Sequence, residues 1–289
     1  MPFRLSTMTR SSARSHLYVP ATDLARLEKS VGRGADSLIV DLEDGVSFSD
    51  KSQARDNLGK FLKTLDSPIQ IWVRVNSEHK ELIQDLEAAV NVNCVGIVLS
   101  KVETISDINN LQTLLSKYEE QRGLARPLEI SALIESATGI FNAREIASAE
   151  RVSRLQIGEA DLAAELGISG AGSEDSKMFA RNMIVYASTS AGINPPVAAV
   201  SPDFKNLEDF RKSTLHFKEL GYFGRSCIHP DQIAIANEVF TPSVIELANA
   251  QDILDRLTAA GGGVALDANG RMIDEAFARS ARRILEIGN

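Results

Sequence analysis

Cysteine is nearly absent: Cys94 and Cys227 are the only two in 289 residues, and they form no CxxC pair. That excludes a disulfide framework; two lone thiols suit a reducing cytosol, where each reads as a small buried residue. Basic excess is absent too. Lys and Arg number 31 against 39 Asp and Glu, a net charge of −8, so the chain has no general attraction for nucleic acid or an anionic membrane. An anionic substrate therefore needs a local cation. No long apolar run occurs either: the longest uncharged stretch, Asn182–Pro202, carries Gly192, Pro195, Pro196 and several hydroxyls and does not read as a bilayer span. No P-loop and no Gly-x-Ser-x-Gly pattern appears, and the glycines of Gly167–Gly172 are in the wrong order for a dinucleotide loop. Residues 1–14 hold Arg4, Arg10 and Arg14 with no acid, a faintly transit-peptide-like composition. They lack an apolar h-region, so a flexible N-terminal tail, or a start at Met8, is expected.

What is present describes a globular chain with a large core: 44% hydrophobic and 24% charged residues. At about 150 residues per domain the length admits two domains, but a single barrel of ~250 residues fits equally well. Short β-branched runs alternate with amphipathic stretches. Eight strands are expected, at Ser15–Val19, Ser37–Leu42, Ile69–Val75, Val95–Ser100, Glu129–Ile134, Arg154–Gly158, Val197–Val200 and Arg225–Ile228. Helices are expected at Thr22–Gly32, Asp50–Leu65, Lys80–Val90, Ile105–Gln121, Asn142–Ala149 and Asn206–Leu220, the last burying Leu207, Phe210, Leu215, Phe217 and Leu220. Repeated β-then-α units with apolar strands predict a parallel sheet covered by helices, as a closed (β/α)8 TIM barrel or, alternatively, a doubly wound open sheet. The barrel takes residues 15–240. Residues 241–289 read as a C-terminal helix, a loop over Gly261–Asp274 and a second helix, hinged on a glycine triplet and able to cap an active site.

Barrel active sites lie at the C-terminal ends of strands. Here those ends carry Asp41, Glu43, Asp44, Arg74, Asn76, Lys101, Glu103, Glu135, Glu159, Asp161 and His229. Glu135 and Asp161 follow adjacent strands, ~4.8 Å apart. Two carboxylates that close share a proton or a cation, and with no His or Cys cluster nearby a hard ion such as Mg2+ is favoured over zinc. Helix capping is the competing explanation of the same pair. Arg74 ends an apolar strand, so its guanidinium needs a partner, either a substrate carboxylate or acyl oxygen, or an internal acid such as Asp41 or Glu43. His229 beside Pro230 reads as a structural hydrogen bonder rather than a base; His16, His79 and His216 stand in no constellation.

Taken in order, the segments Arg14–Pro20, Gly34–Asp44, Val73–Asn76, Leu99–Thr104, Leu133–Ile140, Asp161–Gly167, Ser226–Ile233 and Gly270–Asp274 resemble the citrate lyase β-subunit-like family, acyl-CoA lyases of the HpcH/HpaI aldolase superfamily. The likeness runs from Arg14 to about Leu285. It implies a (β/α)8 barrel, assembly as a homotrimer or hexamer, and acyl-CoA substrates; a cytoplasmic location is expected from the two lone thiols. The implied reaction makes or breaks the carbon–carbon bond of citryl-, citramalyl- or malyl-CoA, giving acetyl-CoA and a small 2-oxo acid. By the same resemblance Glu135 and Asp161 match the Mg2+ ligands, Arg74 (with Glu135) the substrate-binding residues, and Asp274 a catalytic acid entering a neighbouring subunit's site. Arg14 is placed as a CoA contact by its position before strand one. Two positions depart from the family pattern: Ser100 stands where a proline is common, and Ala160 where an acid often precedes the metal aspartate. A citrate lyase β subunit acting on an acyl-carrier thioester, and a CoA-binding barrel without turnover, are the alternatives.

Overall fold

The computed structural model describes residues 13–170 and 173–288. Residues 1–12 of the expected tail, with Met8, and part of the Gly167–Gly172 stretch lie outside the described residues. Two compact units are formed, Met1–Asn237 and Glu238–Asn289. Among the described residues no helix is long and apolar enough to cross a membrane.

The first unit is a curled parallel sheet of seven strands: β1 (Ser15–Pro20), β2 (Ser37–Asp41), β3 (Gln70–Val75), β4 (Gly96–Leu99), β5 (Glu129–Ile134), β6 (Val152–Ile157) and β7 (Arg225–Cys227). Their order is β6-β5-β4-β3-β2-β1-β7. The strand expected at Val197–Val200 shrinks to two isolated parallel bridges, Val197 with Gln156 and Ala198 with Arg225. Pro195 and Pro196 enter this position without N–H groups, which limits the ladder. Those bridges sit between β6 and β7 and close the ring, as a barrel requires.

Alternate residues of a strand share one face, and the inward face of this barrel changes character along its axis. At the N-terminal end His16 Nδ1 shares a 2.6 Å hydrogen bond with Ser37 Oγ, and Arg154 Nη1 lies 3.0 Å from His16 Nε2. His16 therefore does stand in a constellation, an internal polar plug. Burial, helped by the Arg154 charge, pushes its pKa down to about 3. Two residues along each strand, Ile39, Trp72, Val98 and Leu133 form an apolar layer with Tyr18. One further step reaches Asp41, Arg74 and Glu135.

The helices α1 (Leu24–Ser30), α2 (Lys51–Thr64), α3 (His79–Ala89), α4 (Ile105–Arg122), α5 (Ala137–Ala147), α6 (Glu159–Leu166), α7 (Ser173–Ala191), α8 (Leu207–Leu220) and α9 (Asp231–Phe240) complete the sequence of elements of this region. α5 starts five residues earlier than expected because Ser136 caps it, accepting from Gly139 N. α7 occupies the first part of the uncharged stretch, where small residues mask the helical period. On α8 the buried face is Phe210, Thr214 and Phe217, with Leu215 turned outward. Cys94 and Cys227 are free and buried, and burial pushes both thiols up to about 12.

In the second unit, α10 (Val244–Ala259) and α11 (Glu275–Gly288) pack together, with Leu257, Ile273 and Ala278 as the core. The loop expected over Gly261–Asp274 contains an antiparallel hairpin, β8 (Ala265–Leu266) with β9 (Met272–Ile273). Strands of two residues are too short to leave a period in the sequence. Gly261, Gly262 and Gly263 all have positive φ, a run of conformations that only glycine adopts cheaply.

Candidate active site

Asp41 closes β2 and holds its own loop, accepting from Glu43 N at 2.9 Å and Gly45 N at 3.0 Å. From the next strand Arg74 grips it with both edges, Nε to Oδ1 at 2.7 Å and Nη2 to Oδ2 at 2.6 Å. Nη1 lies 3.1 Å from Glu43 Oε2, and the guanidinium sits 5.2 Å over the Tyr18 ring. Internal pairing of Arg74 is therefore real. A guanidinium has five N–H donors; two of them hydrogen-bond Asp41, and Nη1 is ion-paired with Glu43 on the wall of the cavity that Arg74 lines. Burial works against the Arg74 charge, but the Asp41 and Glu43 carboxylates outweigh it and raise its pKa.

Glu43 continues the chain of charges: Lys101 Nζ donates to its Oε1 at 2.6 Å. Burial raises the Glu43 pKa against the pull of Arg74 and Lys101. Burial lowers Lys101, and the hydrogen bond to Glu43 with the nearby Asp44 more than reverses that. The Lys101 backbone is left-handed, φ 54°, and its N–H donates to Glu135 Oε1 at 2.8 Å. Ser100, in place of the family's proline, anchors this turn by donating from Oγ to Val75 O at 2.9 Å.

Glu135 is 5% exposed at the end of β5. Its side chain fills the space over Gly158: a Cβ there would lie 2.6 Å from Glu135 Cβ, closer than packed carbons tolerate. Burial pushes the Glu135 pKa up to about 8, with Asp161 and Glu43 adding to the rise against the Lys101 N–H and Arg74. Asp161 occupies the third position of α6. Both carboxylates line one cavity of about 390 Å3 with Arg74 and Asp41. Capping does not account for Glu135, since Ser136 caps α5.

Other expectations resolve differently. Arg14 pairs with Asp36 through Nε at 2.8 Å and Nη2 at 2.9 Å and precedes β1, at the opposite end of the strands from the cavity. His229 lines a second cavity; its ring stacks on Phe204 at 4.9 Å and Nδ1 accepts from Asp231 N at 3.3 Å. Asn76 braces loops, donating to Leu42 O and to Asp85. Asp274 belongs to the second unit, where it begins α11 and its Oδ1 accepts from Ala276 N at 2.9 Å.

Sequence reading missed two groups. Tyr18 Oη donates to Gln156 Oε1 at 3.0 Å, and Gln156 Nε2 to Ser131 Oγ at 3.0 Å, a buried polar floor under the cavity. Mid-strand polar residues carry no signal of which face they occupy. The second cavity, about 420 Å3, is lined by Arg26, Lys29 and Arg33 and shares Tyr18, Pro20, Arg26 and Ile228 with the first. Their i, i+3, i+7 spacing was a usable signal.

A carboxylate pair and a fixed arginine at the C-terminal mouth of a parallel barrel define an acid-rich site for small oxygen-bearing substrates. The family model described as HpcH/HpaI aldolase/citrate lyase matches residues 14–230. The citrate lyase subunit beta of Leuconostoc mesenteroides subsp. cremoris is 33% identical over 96% of this chain and 93% of that protein. The L-malyl-CoA/beta-methylmalyl-CoA lyase of Cereibacter sphaeroides is 33% identical over 94% and 93%. Among solved structures, CitE from Mycobacterium tuberculosis in complex with magnesium, acetoacetate and coenzyme A superposes with a TM-score of 0.80 at 27% identity, covering 97% of this chain and 99% of that one. The chain belongs to the HpcH/HpaI aldolase/citrate lyase family, and its enzyme class is that of the lyases.

Proposed function

We propose that the chain is a Mg2+-dependent lyase that cleaves a 3-hydroxyacyl-CoA of the citryl, citramalyl or malyl type into acetyl-CoA and a 2-oxo acid, or joins them. The observation that carries this reading is the pairing of buried Glu135, its pKa near 8, with Asp161 in the cavity that Arg74 lines. The donor set, carboxylate oxygens only, fits the hard ion Mg2+; among the described residues no three His, Cys, Asp or Glu side chains are placed to hold a metal, so the protein supplies two ligands at most. Two protein ligands leave positions for water and substrate. A cation would also offset the repulsion that Glu135 meets from Asp161.

When bound, Mg2+ acts as a Lewis acid toward the oxygens of the oxo-acid half. Glu135 and Asp161 would hold it at the wall of the cavity that Arg74 lines. Arg74 is assigned to direct N–H donors not used on Asp41 at oxygen, where negative charge grows as the carbon–carbon bond breaks. In the cleavage direction the 3-hydroxyl gives its proton to water, its O–H pair becomes the C3 carbonyl of the 2-oxo acid, and the C2–C3 electron pair passes to the thioester as an enolate. A proton then returns to C2 to give the acetyl group. Asp274 from a neighbouring copy is assigned that proton transfer. Arg26, Lys29 and Arg33, lining the second cavity, are assigned the phosphates of CoA. In this reading the lyase works as a homotrimer or hexamer, and its two buried thiols suit the cytoplasm.

The test is a panel of citryl-, citramalyl- and malyl-CoA with protein and Mg2+, following acetyl-CoA release. Turnover of at least one, lost on EDTA treatment and in Glu135→Ala, is expected. No cleavage of any thioester contradicts the reading.

A further inference from the structure

The helix that carries Asp161 has little to hold it. α6 has eight residues and one buried side chain, Leu162, and its N-cap, Gly158, offers no side chain to the free N–H groups of the first turn. A helix this short is marginal by itself. Its first residue, Glu159, is gripped on both carboxylate oxygens by Arg181 of α7: Nε to Oε1 at 2.6 Å and Nη2 to Oε2 at 2.7 Å. Two parallel charge-assisted bonds fix orientation as well as distance.

Arg181 is itself immobilised. It is 5% exposed, its Nη1 donates to Glu174 at 3.0 Å, and its guanidinium lies 4.7 Å over the Phe217 ring. Its carbonyl accepts from Tyr222 Oη at 3.1 Å. The helix bearing it runs for 19 residues and packs on α5 and β6. Besides the burial of Leu162 and the bond from Ala137 N to Glu165 Oε1 at 3.3 Å in the second turn, this side-chain pair ties the first turn of α6 to a rigid element.

We infer that Arg181 is a positioning residue for Asp161, its fork on Glu159 setting the first turn of α6 so that the Asp161 carboxylate faces Glu135. This rests on the reading of Glu135 and Asp161 as the cation seat. Glu159 lines the same cavity as Glu135 and Asp161, but Arg181 occupies both of its carboxylate oxygens, so the pair acts through the backbone between Glu159 and Asp161.

The test combines calorimetric Mg2+ titration with hydrogen–deuterium exchange on the full chain, for the parent, Glu159→Gln, Arg181→Met and the double variant. Mg2+ binds about tenfold more weakly in either single variant. Exchange rises over residues 159–166 while β4 to β6 keep parent rates, and saturating Mg2+ slows it again because coupling is reciprocal. The double variant is no weaker than either single, since all three break one contact. Should Arg181→Met not fold, Glu159→Gln carries both readouts. A parent that binds Mg2+ with Glu159→Gln variants equal to it in affinity and in α6 exchange overturns the inference. A parent that binds no Mg2+ overturns the underlying reading and the inference with it.

Discussion

Lys101 and Glu135 are joined through the backbone: the Lys101 N–H, at a left-handed φ of 54°, donates to Glu135 Oε1 at 2.8 Å. A non-glycine residue in this region costs about 1–2 kcal/mol. What the conformation yields is the N–H bond that holds Glu135 from the β4 side.

That conformation separates two roles of Lys101. Lys101→Gly removes the ammonium group but suits the backbone, whereas Lys101→Val removes the same group and opposes the backbone. Urea unfolding should find Lys101→Val less stable than Lys101→Gly by about 1–2 kcal/mol. Equal stabilities would contradict the backbone argument.

The raised Glu135 pKa, about 8, makes stability depend on pH. The folded state keeps a proton that the unfolded chain releases above its ordinary carboxylate range, so the unfolded state binds fewer protons between the two values. This contribution is fully present below the unfolded pKa and is lost as pH rises through about 8. Thermal unfolding in EDTA should show Tm of the parent falling relative to Glu135→Gln across that window, with Mg2+ restoring it. Parallel Tm curves for the two proteins would refute the assignment.

Lys29 lines the second cavity beside Arg26 and Arg33. Removing its charge costs binding that is equal in ground and transition states, so KM for the CoA thioester rises with kcat unchanged. Lys29→Ala should raise KM about tenfold at low salt, less at high salt. An unchanged KM would remove this cavity from the substrate path.

Asp274 lies in the C-terminal unit and Glu135 in the barrel unit. If one copy completes the site of another, mixed oligomers of Asp274→Ala and Glu135→Ala contain some sites with both groups intact. Activity should reappear on mixing two inactive preparations, and should stay absent after verified subunit exchange if sites are not shared.

Much of this site is visible in the chain itself, for a physical reason. Asp41, Arg74 and Glu135 each end a run of buried apolar residues, and a charge at that boundary has few uses other than a site or an ion pair. The barrel is legible the same way, from the near-continuous apolar runs of β2, β4 and β5, which are buried on both faces. Other features leave no such mark. Tyr18 and Gln156 sit inside strands, where a polar residue fits the interior as well as the exterior. Val197 and Ala198 close the ring with two bridges, too few for a strand pattern. The pairing of Arg181 with Glu159 joins residues 22 apart, a contact that only the packing of α6 on α7 creates.

The most direct test of the account is the proton balance of Mg2+ binding. At pH 7 a carboxyl with a pKa near 8 is mostly protonated, so a cation bound by Glu135 must displace that proton. Calorimetric titration of Mg2+ in two buffers of different ionisation enthalpy should report about one proton released per ion, and none in Glu135→Gln. Binding without proton release, or equal binding by Glu135→Gln, would contradict the assignment of Glu135 and Asp161 as the cation seat.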